Sequence, residues 1–98
     1  MKQPLSYVHP SAKVAKNVVI DPFTSIDGDV EIGEGTWIGS NVSIMDGARI
    51  GKNCNIYPGA VISANPQDLK YNNELTYAII GDNVTIRECA TINKGTSS

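Results

Sequence analysis

Side chains suited to binding a polar ligand are concentrated in one stretch, residues 65–76, which reads NPQDLKYNNELT. The stretch carries hydrogen-bond donors and acceptors, charges of both signs and an aromatic ring. A long polar segment on a rigid scaffold is a usual place for binding or catalysis. The alternative is a solvated insertion in which Leu69 and Tyr71 pack against a neighbouring surface.

The chain around this stretch follows a six-residue repeat. An aliphatic residue occupies every sixth position from Val8 to Ile62, and the rhythm resumes at Ile80, Ile86 and Ile92. Neither the helical period nor plain strand alternation gives this spacing. The fourth position is often Asn or Gly, which tolerate the left-handed backbone of a tight corner. The repeat therefore predicts an all-β fold, a parallel β-helix of about four coils with three short strands and about eighteen residues in each coil.

Residues three repeats apart should lie one above another, so Ile26, Ile44 and Ile62 are predicted to share one ladder. The next repeat position in this register would place Asp68 in the core, and a later one would bury Glu74. Burying two unpaired carboxylates costs more than a rung contributes. We therefore expect one repeat with about twelve extra residues, an extruded loop at about 65–76.

His9 is the chain's only histidine, and the repeat assigns it to the face that carries the loop, three coils below. That separation makes His9 a poor candidate for a catalytic base. One histidine and two separated cysteines, Cys54 and Cys89, do not form a set of metal ligands at the usual spacing. The glycines within residues 33–39 lack the spacing of a dinucleotide fingerprint. We predict neither a metal site nor a cofactor.

Composition and charge describe one small domain over residues 1–98, with 41% hydrophobic residues and a formal charge of −2. Eight Lys plus Arg without a basic cluster argue against nucleic acid as a partner. The first four residues enter the repeat almost at once and contain no apolar run. We therefore expect no signal peptide, no membrane span and a cytoplasmic location.

Two motifs, residues 65–71 (NPQDLKY) and 86–96 (IRECATINKGT), combine with the repeats to resemble a known family. It is the family of acyl-carrier-protein:UDP-N-acetylglucosamine O-acyltransferases, which open lipid A synthesis. The resemblance covers essentially the whole chain and corresponds to the family's N-terminal portion. Many acyl- and acetyltransferases share the repeats, so the two motifs are the more specific signal. General sterics favour right-handed crossovers, and the left-handed coil that we expect is implied by the resemblance alone.

This resemblance implies transfer of a 3-hydroxyacyl group from acyl carrier protein to a hydroxyl of UDP-N-acetylglucosamine, in a homotrimer with active sites between prisms. It implies substrate contacts by Gln67 as a hydrogen-bonding partner and by Asp68 as an acceptor for sugar or acyl hydroxyls. Lys70 would be a cation beside the diphosphate or acyl portion. Asn93 stands where many members carry a His, and its amide binds without titrating near neutral pH. A purely structural corner amide is the alternative for Asn93.

The resemblance also sets the family's catalytic His on coils beyond Ser98, together with a C-terminal helical domain, so we expect no catalytic residue here. A solenoid normally ends in a cap, and the last repeat has none. We therefore expect a truncated form that is inactive alone. Trp37 and Tyr57 project outward in their repeats and are expected to pack between subunits. Two alternatives stay open: a non-catalytic β-helix scaffold or interaction module, and a related hexapeptide sugar N-acyltransferase.

Overall fold

The computed structural model describes residues 4–64 and 77–95, and these form thirteen short β-strands. No helix among them has the length and hydropathy that a membrane crossing requires. The strands are β1 (Tyr7–Val8), β2 (Lys13–Val14), β3 (Val19–Ile20), β4 (Ser25–Ile26), β5 (Glu31–Ile32), β6 (Trp37–Ile38), β7 (Ser43–Ile44), β8 (Ala48–Ile50), β9 (Asn55–Ile56), β10 (Val61–Ala64), β11 (Ala78–Ile80), β12 (Thr85–Ile86) and β13 (Thr91–Asn93).

Three parallel sheets form the three faces of a prism. The first face has the strand order β1-β4-β7-β10-β13, the second β11-β8-β5-β2 and the third β12-β9-β6-β3. Consecutive strands thus belong to different faces, and every third strand pairs with the one above it. This is the coiling that the six-residue repeat predicts.

Aliphatic ladders run along each face in strict register. Ile26 pairs with Ile44 and Ile44 with Ile62, so the predicted ladder is confirmed. Those partners are eighteen residues apart, whereas Ile62 pairs with Ile92, thirty residues further along the chain. The difference of twelve residues lies between β10 and β11, which occupy adjacent faces of one coil.

Two inward positions of each repeat fill the core. The isoleucines at the first position are buried throughout the middle of the prism, and Ile26, Ile38 and Ile56 have no exposed surface. The small partners at the fifth position are buried with them: Val18, Thr24, Val30, Thr36, Val42, Ala48, Cys54 and Ala60. Large and small side chains alternate between strand and corner, an arrangement that suits close packing in a triangular interior.

Two of the small partners are threonines, and their buried hydroxyls form hydrogen bonds with backbone groups of the corners. The Thr24 hydroxyl donates to the carbonyl oxygen of Gly39 at 2.6 Å and accepts from the Val42 amide. Thr36, two repeats further along the chain, makes the same two bonds: its hydroxyl donates to the Gly51 carbonyl and accepts from the Cys54 amide. Buried polar groups must be hydrogen-bonded, and each hydroxyl here links two successive coils.

The corners adopt the left-handed backbone that the repeat predicts. Asn17, Asn41, Asn53 and Asn83 all have φ between 55° and 60°, at the fourth position of their repeats. Phe23 and Cys89 occupy the same position with φ of 66° and 59°, although their side chains do not favour it. Corner geometry is therefore imposed by the stack of coils as well as by residue type.

Candidate functional site

The inserted segment leaves and re-enters the prism within a single corner, between the first and second faces. Ala64 is its outgoing end and Tyr77 its returning end. The Lys94 amide, one coil above, donates to the Ala64 carbonyl at 2.9 Å, and the Gly95 amide donates to the Tyr77 carbonyl at 3.3 Å. One coil below, the Gly47 carbonyl accepts from the Ala78 amide at 3.0 Å. We call residues Ser63, Ala64, Tyr77 and Ala78 the loop root.

Ser63 diverts the chain out of the ladder. Its φ is 67°, and it follows Ile62 directly, whereas the other described residues with positive φ stand at the fourth repeat position. The β10–β13 register shifts here: Ile62 pairs with Ile92 and Ala64 with Asn93, so Ser63 is the extra residue of a bulge. Ser63 is completely buried, and its hydroxyl donates to the Asp46 carbonyl at 2.7 Å. Bulges of this kind often redirect a chain beside a functional site.

Replacing Ser63 should separate two effects of this bulge. Ser63→Val is expected to lower the free energy of unfolding by about 2 kcal/mol, because a β-branched residue resists a left-handed backbone and the hydroxyl bond is lost. Ser63→Gly also loses the bond but relieves the backbone, so its change should stay within about 1 kcal/mol. Urea denaturation followed by circular dichroism measures both. Equal losses for Val and Gly would contradict the argument.

A lysine from the coil above closes the outgoing end. The Lys94 ammonium group donates to the Ser63 carbonyl at 2.6 Å, in addition to the backbone bond from Lys94 to Ala64. Lys94 is half-buried, which shields this charge-assisted hydrogen bond from water. The side chain and backbone of one residue thus hold two consecutive carbonyls of the loop root.

An arginine from the coil below contacts the returning end. The Arg49 guanidinium lies 4.6 Å from the ring centre of Tyr77 and donates to the Asp29 carboxylate at 2.7 Å. The Glu31 carboxylate lies 3.6 Å from Arg49 Nε, and Glu31 pairs with Arg49 in the neighbouring strand. Partial burial acts to lower the pKa of Arg49, but the hydrogen bond to Asp29 and the neighbouring carboxylates raise it above its ordinary value. The guanidinium therefore stays charged beside the Tyr77 ring.

Of the four predicted substrate-binding residues, Asn93 lies within the described structure. It is exposed, ends β13 and pairs with Ala64, so it stands one rung above the outgoing end of the loop root. Counting repeats with the twelve extra residues set aside also places Asn93 one rung above the loop root, in agreement with this pairing. Gln67, Asp68 and Lys70 lie outside the described residues.

His9 is on the first face, as expected, but belongs to the lowest coil. Its Nδ1 accepts a hydrogen bond from the Ser11 amide at 3.0 Å, and its ring covers Gly28, where an added Cβ would lie 2.8 Å from Nδ1. Within residues 4–64 and 77–95, no three His, Cys, Asp or Glu side chains come together as metal ligands. His9 therefore has a local corner role, far from the loop root.

A second polar and aromatic cluster covers the third face. The Trp37 and Tyr57 rings meet edge to face with centres 5.2 Å apart, and Trp37 Nε1 donates to Asp21 at 3.0 Å. Arg87 stacks 4.5 Å over Tyr57 and donates to Glu88 at 3.0 Å. This hydrogen bond and opposite charge lower the pKa of Glu88 and raise that of Arg87. Both aromatic rings project outward, as predicted, and partly shield one another.

Residues 2–97 match the model of a known protein family, the GMPPB C-terminal domain. The chain belongs to this family. LpxA from Bacteroides fragilis, a UDP-N-acetylglucosamine acyltransferase, superposes with a TM-score of 0.97 at 52% identity, covering 99% of this chain and 38% of that one. The Francisella novicida UDP-N-acetylglucosamine acyltransferase gives 0.94 at 46% identity, covering 99% and 36%.

Among curated proteins, the acyl-[acyl-carrier-protein]–UDP-N-acetylglucosamine O-acyltransferase of Chlamydia caviae is 42% identical over 93 residues, or 95% of this chain. The chain spans about a third of the length of the curated relatives it matches. The resemblance predicted from the two motifs is confirmed, and with it the assignment to an acyltransferase family. The left-handed parallel β-helix is confirmed as well.

Three residues of this site escaped prediction from the sequence. Ser63 is neither Gly nor Asn, so nothing marked it as left-handed. Lys94 and Arg49 act on a carbonyl and a ring that lie 31 and 28 positions away, across coils. One signal could have found Lys94: with the twelve extra residues set aside, repeat counting places it one coil above Ala64, and its amide donates to the Ala64 carbonyl.

Proposed function

We propose that this chain forms part of an O-acyltransferase that moves a 3-hydroxyacyl group from acyl carrier protein to a hydroxyl of UDP-N-acetylglucosamine, the first step of lipid A synthesis. The observation that carries this proposal is the twelve-residue insertion at one corner, beside Asn93, in a prism 52% identical to an LpxA. The sugar hydroxyl attacks the thioester carbonyl, a C–O bond forms, the C–S bond breaks and the hydroxyl proton passes through a base to the leaving thiol.

Each proposed site residue has a role that fits its chemistry. Asp68 accepts hydrogen bonds from sugar or acyl hydroxyls, and Lys70 offers a cation to the diphosphate or acyl portion. Gln67 and Asn93 donate and accept through their amides. These groups bind and orient the two substrates, and orientation alone accounts for a large share of the rate of a transfer between bound groups.

No base for the hydroxyl proton is proposed within the chain. His9 is the only histidine, and it is held in the lowest coil by the Ser11 amide. Incubating the 98-residue chain with 3-hydroxyacyl carrier protein and UDP-N-acetylglucosamine is therefore expected to yield no acyl-sugar, measured by mass spectrometry. Detectable acyl-sugar would overturn this part of the proposal.

A homotrimer, with active sites between prisms, is the proposed assembly. The outward Trp37 and Tyr57 rings on the third face support it, since large aromatic side chains are enriched at subunit contacts. Acyl carrier protein is the proposed protein partner. The cytoplasmic location stays a prediction.

A chimera tests the function directly. Residues 1–98 would replace the matching segment of Bacteroides fragilis LpxA, and the chimera would be assayed with both substrates. We expect acyl transfer to the sugar hydroxyl, and Asp68→Ala in the chimera should lower kcat/KM by roughly 30- to 100-fold through the lost charge-assisted bond. Lys52→Met, an exposed corner change, is the control and should leave the rate unchanged.

The outcomes separate the competing functions. An inactive chimera that is folded, or an active one indifferent to Asp68→Ala, would favour a non-catalytic scaffold. Faster transfer to an amino sugar than to UDP-N-acetylglucosamine would favour the N-acyltransferase. Either result would refute the O-acyltransferase proposal.

A further inference from the structure

Cations from the neighbouring coils hold both ends of the inserted segment. From above, Lys94 Nζ donates to the Ser63 carbonyl and the Lys94 amide to the Ala64 carbonyl. From below, the Arg49 guanidinium stacks on Tyr77. The first and last points of the segment are thus fixed from opposite sides of one coil.

The outgoing end needs this support because the bulge removes Ser63 from the ladder. A completely buried residue without a register partner must satisfy its backbone carbonyl in another way. Lys94 supplies a charged donor at 2.6 Å, and such charge-assisted bonds are shorter and stronger than neutral ones. The left-handed φ of 67° at Ser63 persists only where the surroundings hold it.

Arg49 is itself held in place. Its guanidinium donates to the Asp29 carboxylate, the Asp29 carbonyl and the Ala48 carbonyl, all between 2.7 and 3.0 Å. A side chain with three such bonds has little rotamer freedom left, so the Tyr77 ring rests on a rigid surface. The returning end is therefore less dependent on Lys94 than the outgoing end.

We infer that Lys94 is a positioning residue for the acyl transfer proposed above, on which this inference rests. Its ammonium group fixes the direction in which the chain leaves the prism at Ser63 and Ala64. Gln67, Asp68 and Lys70, proposed above as substrate contacts, follow Ser63 within seven positions of the sequence, and Asn93, the fourth proposed contact, pairs with Ala64 at the loop root. Lys94 acts in this inference through its bonds to the loop root, as a positioning residue.

The test compares Lys94→Met, Lys94→Arg and Lys52→Met in the chimera described above. Lys52 is the matched control because it stands at the same third repeat position, exposed, in another corner. We expect Lys94→Met to lower kcat/KM about 30-fold, with KM raised and kcat lowered together, since small displacements of binding groups cost up to about a hundredfold. Lys94→Arg should stay within about threefold because its guanidinium also donates to carbonyls.

A second measurement is amide hydrogen exchange at the loop root in the 98-residue chain. The amides of Lys94 and Gly95, which donate to the loop root, are expected to exchange hydrogen about tenfold faster in Lys94→Met. The Asn55 amide, which donates to Val84 on another face, should keep its protection.

The kinetic split decides the interpretation. Loss of folded protein would lower apparent kcat and leave KM unchanged, so that pattern in Lys94→Met would overturn the inference. Unchanged kinetics in Lys94→Met, with Asp68→Ala still impaired, would overturn it too while leaving the proposed function intact. An inactive unmodified chimera would overturn the proposed function and this inference with it.

Discussion

Replacing Ile44 by alanine is expected to lower the free energy of unfolding by about 4 kcal/mol, near the upper range for a buried isoleucine. Ile44 is 1% exposed and lies between Ile26 and Ile62 in the ladder of the first face. Its carbonyl accepts from Asp27, and the Met45 amide donates to Ile62, so the coils on both sides are held at fixed spacing. The neighbours cannot close the cavity, and its full cost remains.

The matched control is Ile79→Ala, which deletes the same side chain from an outward position of β11 with 73% exposure. It should change stability by less than about 0.5 kcal/mol. Urea denaturation monitored by circular dichroism gives both values. A loss of 4 kcal/mol is a large part of the roughly 5–15 kcal/mol available to a domain of this size. Equal losses for the two variants would refute the ladder as the source of stability.

Much of the fold follows from the sequence because the repeat reports one physical requirement, a side chain facing inward once per face. That requirement predicted the ladder from Ile26 to Ile62, which the strand pairing confirms. Burial itself was less predictable. Val14 has the same repeat position as Ile44 but is 37% exposed, because its strand β2 is the edge of the second face.

The backbone geometry of the corners was likewise predictable at some positions and not at others. Asn17 and Gly35 could be predicted as left-handed because their side chains permit it at little cost. Phe23 could not, since its φ of 66° is held by neighbouring coils: its amide donates to the Leu5 carbonyl at 3.2 Å. Residue type sets what a corner allows, and the stack above and below sets what it adopts.

The candidate site was predictable to the extent that it depends on counting. Asn93 could be assigned to the rung above the loop root once twelve residues were set aside, and its pairing with Ala64 agrees. The Lys94 and Arg49 contacts depend instead on side-chain reach across coils and on the bulge at Ser63. Neither feature has a period, so no repeat pattern reports them.

Gly33→Ala is the second substitution with a large expected effect, a loss of about 3 kcal/mol in the free energy of unfolding. An added Cβ at Gly33 would lie 2.6 Å from both the carbonyl carbon and oxygen of Gly51 and 2.8 Å from the Lys52 amide nitrogen. All three are backbone atoms of the coil above and cannot rotate away. Moving Gly51 would also disturb its carbonyl, which accepts from the buried Thr36 hydroxyl at 2.9 Å.

Gly81→Ala is the matched control, because Gly81 occupies the same position of its repeat two coils higher and an added Cβ there meets no atom of the described residues within 4 Å. Neither glycine has the left-handed backbone that would itself disfavour alanine. Gly81→Ala should therefore be neutral or slightly stabilising, because alanine restricts the conformations of the unfolded chain. That effect raises the free energy of unfolding by about 0.4–1 kcal/mol at most. At about 4–8 °C for each kcal/mol, Gly33→Ala should lower Tm by roughly 12–24 °C. If the two variants have the same Tm, close contact between the coils does not limit which residues this corner can accept. The glycines there would then need another explanation.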